Sequence, residues 1–311
     1  MQFALPCSRL TAVLLCLFAL VACSRTESVQ TLEQRDLLRL VFKGWDGNSE
    51  NAIVTAPQLK AELPASVQAS APLALRMQAL HVQRLNENSA VLLVKGEPTE
   101  PGLPTLLAAY WFQRRAEAWS LTSRQDVVEW LGHSGRISRT SIVELFPGNF
   151  ALAVEHSTVD NNEVMIVLQL FRLETDKLTP MLDKGKQVEL LRHYESGPEC
   201  ENMMHPPKGK HSRMRLHLNE NEAGPPNCYD YMAKWEISPG DDAPGLLTVD
   251  YSGKTYRYQE VAQTTDGNGE RTITYDLQVG GQKGRKKLVF DTVSQKYQPR
   301  DEKPAPVSRK K

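Results

Sequence analysis

Alternation of apolar and polar residues is the feature that most constrains the fold of this chain. Residues 213–218 read Arg-Met-Arg-Leu-His-Leu, and residues 273–278 read Ile-Thr-Tyr-Asp-Leu-Gln. A period of two places alternate side chains on opposite faces of a β-strand, so each segment predicts a strand with one buried and one solvated face. Strands of that kind are typical of antiparallel sheets covered on one side. The chain is therefore predicted to be mainly β.

Turn residues divide the second half into strand–turn–strand units. Turns are predicted at 147–149 (Pro-Gly-Asn), 160–162 (Asp-Asn-Asn) and 280–281 (Gly-Gly). The units have no fixed repeat, so a sandwich, a barrel and a propeller-like arrangement all remain open. The predicted strands are residues 141–144, 150–155, 163–172, 213–218, 231–237, 246–251, 255–258, 273–277 and 288–290.

The first half predicts short peripheral helices beside a meander of strands. Thr31 and Gln34 match a capping box and open an amphipathic helix over 32–43. Strands are expected at 90–95, 106–113 and 116–121, and a second helix from Ser123 to Gly132. The organisation into one or two domains is open. The predicted segments are 31–135 as an α+β domain, 136–298 as a β-rich domain and 299–311 as a disordered tail.

The N-terminus carries a short apolar run, Leu10–Val21, followed by Ala22 and Cys23. Leu20-Val21-Ala22-Cys23 resembles the lipobox of bacterial lipoproteins. The resemblance implies a signal peptide over 1–22, acylation of Cys23 and a tether over 23–30. It further implies a lipid anchor in the outer membrane facing the periplasm, because Ser24 and not Asp follows the cysteine. An ordinary cleaved signal and an uncleaved anchor are the alternatives, although a membrane span needs about 20 apolar residues.

Charge gives this chain no preference for nucleic acid. Without residues 1–22 it has 36 basic and 37 acidic residues. A balance so close to zero produces no general attraction to nucleic acid or to an anionic surface. Nucleic acid is therefore not expected as a partner.

Two cysteines, Cys200 and Cys228, remain once the signal peptide and Cys23 are set aside. In an oxidising compartment they are most simply one disulfide. Two free thiols are a second interpretation. A metal site with His205 and His211 is a third, but the spacing fits no zinc pattern.

No motif in the sequence predicts a catalytic residue, a cofactor or a metal. Residues 132–135 (Gly-His-Ser-Gly) lack the spacing of a nucleophile elbow. The loops at 46–50 and 266–270 place acidic and amide oxygens at alternate positions, as calcium loops do, but hairpin turns explain them better. Glu155 and His156 are expected to be a solvated pair at a strand end.

Aromatic residues form two groups that could bind a glycan or a peptide, or could pack in the core. The lipid anchor, the disulfide, the β scaffold and the lack of a catalytic set favour a non-enzymatic binding or assembly module of the envelope, with an envelope protein or a glycan as its partner. An envelope enzyme acting on cell-wall or glycan substrates, and an inhibitor or immunity-like protein, are the alternatives. The first group is Tyr110, Trp111, Phe112 and Trp119, and the second is Tyr229, Tyr231, Trp235, Tyr251, Tyr256 and Tyr258.

Overall fold

The computed structural model has one helix and sixteen strands among the residues that it describes. Every strand pair is antiparallel, which confirms the predicted mainly β, antiparallel class. The structure describes residues 27–45, 52–55, 74–100, 102–132, 136–160, 163–183, 188–194, 200, 203–205, 213–218, 228–265, 267 and 271–300. The elements are β1 (Ser28–Val29), α1 (Gln34–Val41), β2 (Ala52–Thr55), β3 (Ala74–Asn86), β4 (Ser89–Pro98), β5 (Thr105–Arg115), β6 (Ala118–Leu131), β7 (Ile137–Phe146), β8 (Asn149–Asp160), β9 (Glu163–Leu173), β10 (Leu178–Pro180), β11 (Val188–Tyr194), β12 (Arg213–Leu218), β13 (Cys228–Ile237), β14 (Leu247–Thr265), β15 (Arg271–Asp291) and β16 (Lys296–Pro299).

The strands form two sheets that divide the chain at about residue 136. The first sheet has the order β1-β6-β5-β4-β3-β2, and the second has the order β12-β15-β14-β13-β11-β9-β8-β7. β10 pairs with β9, and β16 pairs with β15. The predicted boundary between two domains falls between the sheets, and the division into domains stays a prediction.

The first sheet is covered on both faces. On one face, Leu37, Leu38 and Val41 of α1 pack in a core with Leu92 and Tyr110. The opposite face packs against the second sheet. A sheet covered on both sides needs apolar residues at consecutive positions, which explains why β4 and β5 are buried along most of their lengths.

The two sheets share a core and are joined by hydrogen bonds. Val91 and Trp111 of the first sheet lie in one cluster with Leu152 and Phe171 of the second. The indole Nε1 of Trp111 donates to the Glu174 carbonyl over 2.9 Å. Burying these side chains between the sheets stabilises each by about 1.5–3 kcal/mol relative to exposure. This interface is therefore a main source of stability.

Helix α1 is shorter than the predicted 32–43. Its N-cap is Glu33, which makes no side-chain capping bond, so the predicted capping box of Thr31 and Gln34 is not formed. Instead, the Thr31 hydroxyl donates to the carboxylate of Asp36 over 2.7 Å. The apolar face is nevertheless correct, since Leu37, Leu38, Leu40 and Val41 are buried.

The predicted helix from Ser123 to Gly132 is wrong, because β6 continues to Leu131. Asp126 does not cap a helix there. Its carboxylate accepts hydrogen bonds from the Tyr110 hydroxyl (3.0 Å) and the Arg124 guanidinium (2.9 Å). β5 pairs with residues 123–125 and 129–131 on either side of a register shift, and this pairing outweighs the local helix signal.

The predicted break at residues 280–281 is also wrong. β15 runs unbroken through Gly280 and Gly281 and pairs with β14 from Leu247 to Thr265. The two strands predicted at 246–251 and 255–258 are therefore one strand, β14. The last pair of the hairpin that it forms with β15 is Thr265 with Arg271.

Candidate binding groove

A groove of about 630 Å³ opens on the second sheet, where β11, β13, β14, β15 and β16 lie side by side. Tyrosines and basic residues dominate its lining, and a few apolar side chains complete it. The lining residues are Val188, Glu189, Arg192, Tyr229, Tyr231, Val249, Tyr251, Arg285, Lys286, Lys287, Leu288, Tyr297, Pro299 and Arg300.

The base of the groove is continuous with the hydrophobic core of the second sheet. Val188, Val249, Leu288 and Tyr297 are buried members of that core as well as lining residues. Burial raises the pKa of the Tyr297 hydroxyl, which has no hydrogen-bond partner among the described residues. Side chains embedded in a packed core have little freedom, so the base is rigid.

Cations stack on two of the tyrosines. The Arg192 guanidinium carbon lies 4.7 Å from the ring centre of Tyr229. The Lys286 ammonium lies 5.6 Å from the ring centre of Tyr251. Each contact is a cation–π interaction, worth about 0.5–1 kcal/mol at an exposed site. They hold positive charge close to the aromatic surface of the groove.

The Tyr231 hydroxyl donates a hydrogen bond to the Glu189 carboxylate, which is the single acidic group of the lining. The carboxylate has about four acceptor positions, and this bond uses one of them. Glu189 can therefore accept further hydrogen bonds from a ligand in the groove.

Two glycines make room for the tyrosines. A Cβ at Gly253 of β14 would lie 2.3 Å from the Cβ of Tyr231, which is paired with it on β13. A Cβ at Gly284 of β15 would lie 2.4 Å from the hydroxyl of Tyr251, its partner on β14. Glycine at these positions allows the tyrosine side chains to lie across the neighbouring strand.

The face of the sheet that carries Tyr229, Tyr231 and Tyr251 also carries Arg192 and Lys286, and Glu189 is the one carboxylate of the lining. Exposed Asp250, outside the lining, binds Arg285 through two contacts of 2.5 and 2.8 Å. Hydrogen bonds from this guanidinium lower the pKa of Asp250. Within the described part of the chain, Lys287 and Arg300 have no carboxylate at ion-pair distance. Because Lys287 pairs with Thr248, and Arg300 follows Pro299, the partner of Leu288, these two cations lie on the face of the sheet that carries Asp250 and Arg285.

The predicted disulfide is present. Cys200 and Cys228 are bonded, with Cα atoms 5.6 Å apart. The pair is buried in a small cluster with Met203 and Tyr256. Because each sulfur is bonded to the other, the interpretations of free thiols and of a metal site with His205 do not hold for these cysteines.

Other predicted sites lie outside the described residues. These are Cys23, the predicted site of acylation, the loop at 46–50, most of the loop at 266–270 and the elbow-like residues 133–135. In the part of the chain that the structure describes, no group of three acidic, histidine or cysteine side chains is arranged to hold a metal ion.

The aromatic groups separate by role. In the first group, Tyr110, Phe112 and Trp119 are buried in the core that the first sheet forms with α1, and Trp111 is buried in the core shared by the two sheets. The second group divides in three. Tyr229, Tyr231 and Tyr251 line the groove, Tyr256 and Tyr258 pack at the disulfide, and the Trp235 indole donates to Glu155 over 2.9 Å.

The expectation of a solvated Glu155–His156 pair is wrong. Alternation along β8 places the two side chains on opposite faces, and the His156 ring is 3% exposed. Neither ring nitrogen has a hydrogen-bond partner among the described residues. Burial lowers the pKa of His156 to about 4.

Sequence analysis missed the basic side of the groove. Lys286 and Lys287 belong to a local basic run, residues 283–287, that the near-neutral charge of the whole chain conceals. Arg192 comes from β11, far from that run in the sequence, and only the sheet order places it on the same face as Lys286.

Comparison with known proteins identifies no family. No protein-family model, no curated protein and no solved structure matches the chain. Among the described residues, no helix has the length and apolar character to cross a membrane.

Proposed function

We propose that this chain is a lipid-anchored protein of the bacterial envelope that binds a ligand in the groove of the second sheet. The anchor is the acylated Cys23, and the folded part faces the periplasm from the outer membrane. The observation that carries the binding role is the groove itself, with its four tyrosines and the two cations that lie on their rings.

The size and lining of the groove support a binding role. Sites for small ligands are concave, about 300–1,000 Å³, with an apolar base and a few polar groups that set orientation. This groove has about 630 Å³ of space, a base continuous with the core, and polar groups on its sides.

Preorganisation also supports binding. Arg192 and Lys286 rest on tyrosine rings, and Tyr231 is held by Glu189. Side chains that are already ordered lose little entropy when a ligand arrives, so more of the interaction energy appears as affinity.

The experiment that tests the binding role is photo-crosslinking in intact cells with the full-length chain. A photoreactive phenylalanine replaces Tyr229 in the groove. In the matched control it replaces Lys254, an exposed residue of β14 outside the lining. We expect an adduct at position 229 and none at 254. Equal adducts at both positions would contradict a binding site in the groove.

Fractionation of the same cells tests the anchor. The wild-type chain is expected in the outer-membrane fraction, and Cys23→Ala in the soluble periplasmic fraction. Recovery of both forms in one fraction would refute anchoring through Cys23. Turnover of cell-wall or glycan substrates by purified protein, abolished by groove substitutions, would favour the enzyme alternative.

A further inference from the structure

We propose that the ligand of the groove is an extended, acidic segment of a partner protein, which pairs as an added strand with the open edge of β15. The backbone of β15 would hold the segment, and the cations beside that edge would select its acidic side chains. This inference rests on the proposed function, because it names the class of ligand for the same groove.

The edge of β15 is open between two strands that pair with its ends. β14 occupies one side of β15 from Arg271 to Leu288. On the other side, β12 pairs with β15 up to Asp276, and β16 pairs with it from Leu288 onwards. Among the described residues, no strand pairs with residues 277–286 on that side. An added strand would therefore lie in line with β12 and β16, as part of the same sheet.

The groove reaches this open edge. Arg285, Lys286 and Lys287 all line it, although successive side chains of a strand point to opposite faces of the sheet. A groove confined to one face would be lined by alternate residues only. The lining therefore extends around the edge of β15, and a ligand in the groove can reach the backbone of that strand.

The backbone of β15 presents hydrogen-bonding groups along the open edge. The Lys287 carbonyl points away from β14, because it accepts a bond from the Arg300 N–H over 3.0 Å. In an antiparallel ladder the backbone groups of successive residues point to opposite sides of the strand. The N–H and C=O groups of Gly281, Lys283 and Arg285 therefore point to the open side, in an unbroken register with β14. Donors and acceptors at every second residue match the backbone of an extended peptide, which is the basis of recognition by strand addition.

The charge of this edge favours an acidic segment. Arg285 is bound by Asp250 over 2.5 Å. In the described part of the chain, Lys283, Lys286 and Lys287 have no carboxylate at ion-pair distance. Lys283 and Lys287 lie on one face of the sheet and Lys286 on the other. Acidic side chains on either face of an added strand would thus lie beside a lysine, whereas a second copy of this edge would bring like charges together.

Two adjacent glycines lie in the middle of the open stretch. Gly280 and Gly281 are part of the strand and form no turn, so turn geometry does not explain them. A glycine inside a strand weakens it, and such positions often mark the close approach of another backbone. A Cβ at Gly281 would have nothing within 4 Å, so the space beside it is free for side chains of an added strand.

Fluorescence anisotropy with the purified full-length lipidated protein in non-ionic detergent tests this inference. The probe is a fluorescein-labelled peptide of alternating threonine and glutamate, long enough to span residues 277–286. The control peptide has lysine in place of glutamate. We expect the glutamate peptide to bind at least ten times more tightly than the lysine peptide. Equal affinities, or no binding of the glutamate peptide at millimolar concentration, would overturn the inference.

A pair of variants at Gly281 tests the backbone contact. Gly281→Pro removes the N–H that points to the open side and leaves the ladder with β14 intact, so the glutamate peptide should bind at least tenfold more weakly. Gly281→Ala keeps the N–H and is the matched control, with unchanged affinity expected. Equal binding by the two variants, both folded by near-ultraviolet circular dichroism, would contradict strand addition.

Peptides with N-methyl groups test the same contact on the unaltered protein. One peptide is methylated at the odd positions and the other at the even positions, so only one of them loses the donors that face β15. Its affinity should fall at least tenfold, whereas the other peptide should bind as before. Equal affinities of the two methylated peptides would rule out pairing through the backbone.

A second pair of variants tests the role of charge. Lys286→Gln is expected to weaken the glutamate peptide about threefold, and Lys234→Gln, which removes a cation from the exposed face of β13 outside the groove, should change nothing. An equal loss in both variants would mean that general charge, and not the edge of β15, selects the acidic segment.

Sedimentation of the protein without peptide tests a second copy as the occupant. We expect no dimer that depends on the edge. A dimer that Gly281→Pro abolishes would assign the edge to a second copy and overturn the partner proposed here.

The failures of the two proposals are distinguishable. If the glutamate peptide does not bind while position 229 still forms a specific adduct in cells, the ligand class is wrong and the binding role stands. If the adduct is also absent, both proposals fail.

Discussion

The buried His156 makes a quantitative prediction about the dependence of stability on pH. Its ring is 3% exposed and lies on the face of β8 that packs towards the first sheet, where Leu152 and Val154 belong to the shared core. Burial lowers its pKa from 6.5 in the unfolded chain to about 4 in the folded one. Between these values the unfolded chain binds more protons, so acid favours unfolding.

The sign and size of the effect follow from linkage. Above about pH 6.5 the ring is neutral in both the folded and the unfolded chain, so its titration does not change the free energy of unfolding. As the pH falls from about 6.5 to about 4, stability decreases by at most about 1.4 kcal/mol per pH unit. Between pH 7.5 and 4.5 the difference in pKa amounts to a loss of about 2.5 kcal/mol from this residue alone.

Urea unfolding followed by tryptophan fluorescence measures the effect at pH 7.5, 6.0 and 4.5. His156→Leu is expected to be at least as stable as the wild type at pH 7.5, because it removes a buried ring without hydrogen-bond partners. Its advantage should grow by about 2.5 kcal/mol at pH 4.5. His156→Asn keeps a polar side chain that does not titrate. Its stability relative to the wild type should therefore grow in acid by the same amount as that of His156→Leu, starting from a lower value at pH 7.5. A difference between wild type and both variants that stays constant with pH would refute the reasoning.

Three further predictions concern the fold. Cys200→Ser/Cys228→Ser opens a link across 28 residues, and the free energy of urea unfolding should fall by about 3.5 kcal/mol; a loss below about 1 kcal/mol would contradict it. Gly253→Ala places a Cβ 2.3 Å from the neighbouring strand and should cost about 1–3 kcal/mol in thermal unfolding, whereas Gly281→Ala, with open space around it, should cost nothing; equal melting temperatures would refute the packing argument. Trp111→Phe leaves a carbonyl of the second sheet without its indole donor, so urea unfolding should lose about 1–3 kcal/mol, and unchanged stability would count against this link between the sheets.

Strands and helices whose own pattern of apolar residues shows what is buried were predictable from the sequence. The apolar run of β4 and the alternation of β12 each define a strand without knowledge of its neighbours. The burial of α1 was predictable in the same way, since its apolar residues recur at helical spacing.

Elements decided by their partners were not predictable in this way. Residues 123–132 contain a local helix-start signal, and only pairing with β5 makes them a strand. Gly280 and Gly281 have the composition of a turn, but the long partner strand β14 holds them extended. Some segments have residues that fit a strand and also a helix or a turn. Pairing with a strand distant in the sequence decides between them, and a single sequence does not show that pairing.

The candidate site also contains both kinds of residue: those that the sequence makes recognisable and those that only strand pairing brings together. The second aromatic group and the cysteine pair stand out as residue types, and the structure places three of those tyrosines in the groove and joins the cysteines. The cations of the groove were missed because Arg192 of β11 and Lys286 of β15 come to one face of the sheet only through the pairing of the strands between them. The sheet order, and not any local motif, assembles this charge.

Gly284 lies in the long β14–β15 hairpin and is paired with Tyr251 of the groove. A substitution there tests whether the groove can be changed without a loss of stability. A Cβ at this position would meet the hydroxyl end of Tyr251, which is the far end of a flexible side chain. Gly284→Val should therefore leave the free energy of unfolding within about 1 kcal/mol, because the tyrosine can turn away and valine favours a strand. The displaced ring no longer supports Lys286, so the photo-crosslinked adduct at position 229 should be lost in this variant.

Gly281→Val is the matched control, since it makes the same change in β15 where a Cβ has nothing within 4 Å. It should preserve both stability and binding. Full binding by Gly284→Val, with normal folding shown by near-ultraviolet circular dichroism, would mean that Tyr251 does not form the ligand surface. Loss of binding in both variants would mean that flexibility of the hairpin, and not the position of one ring, controls the groove.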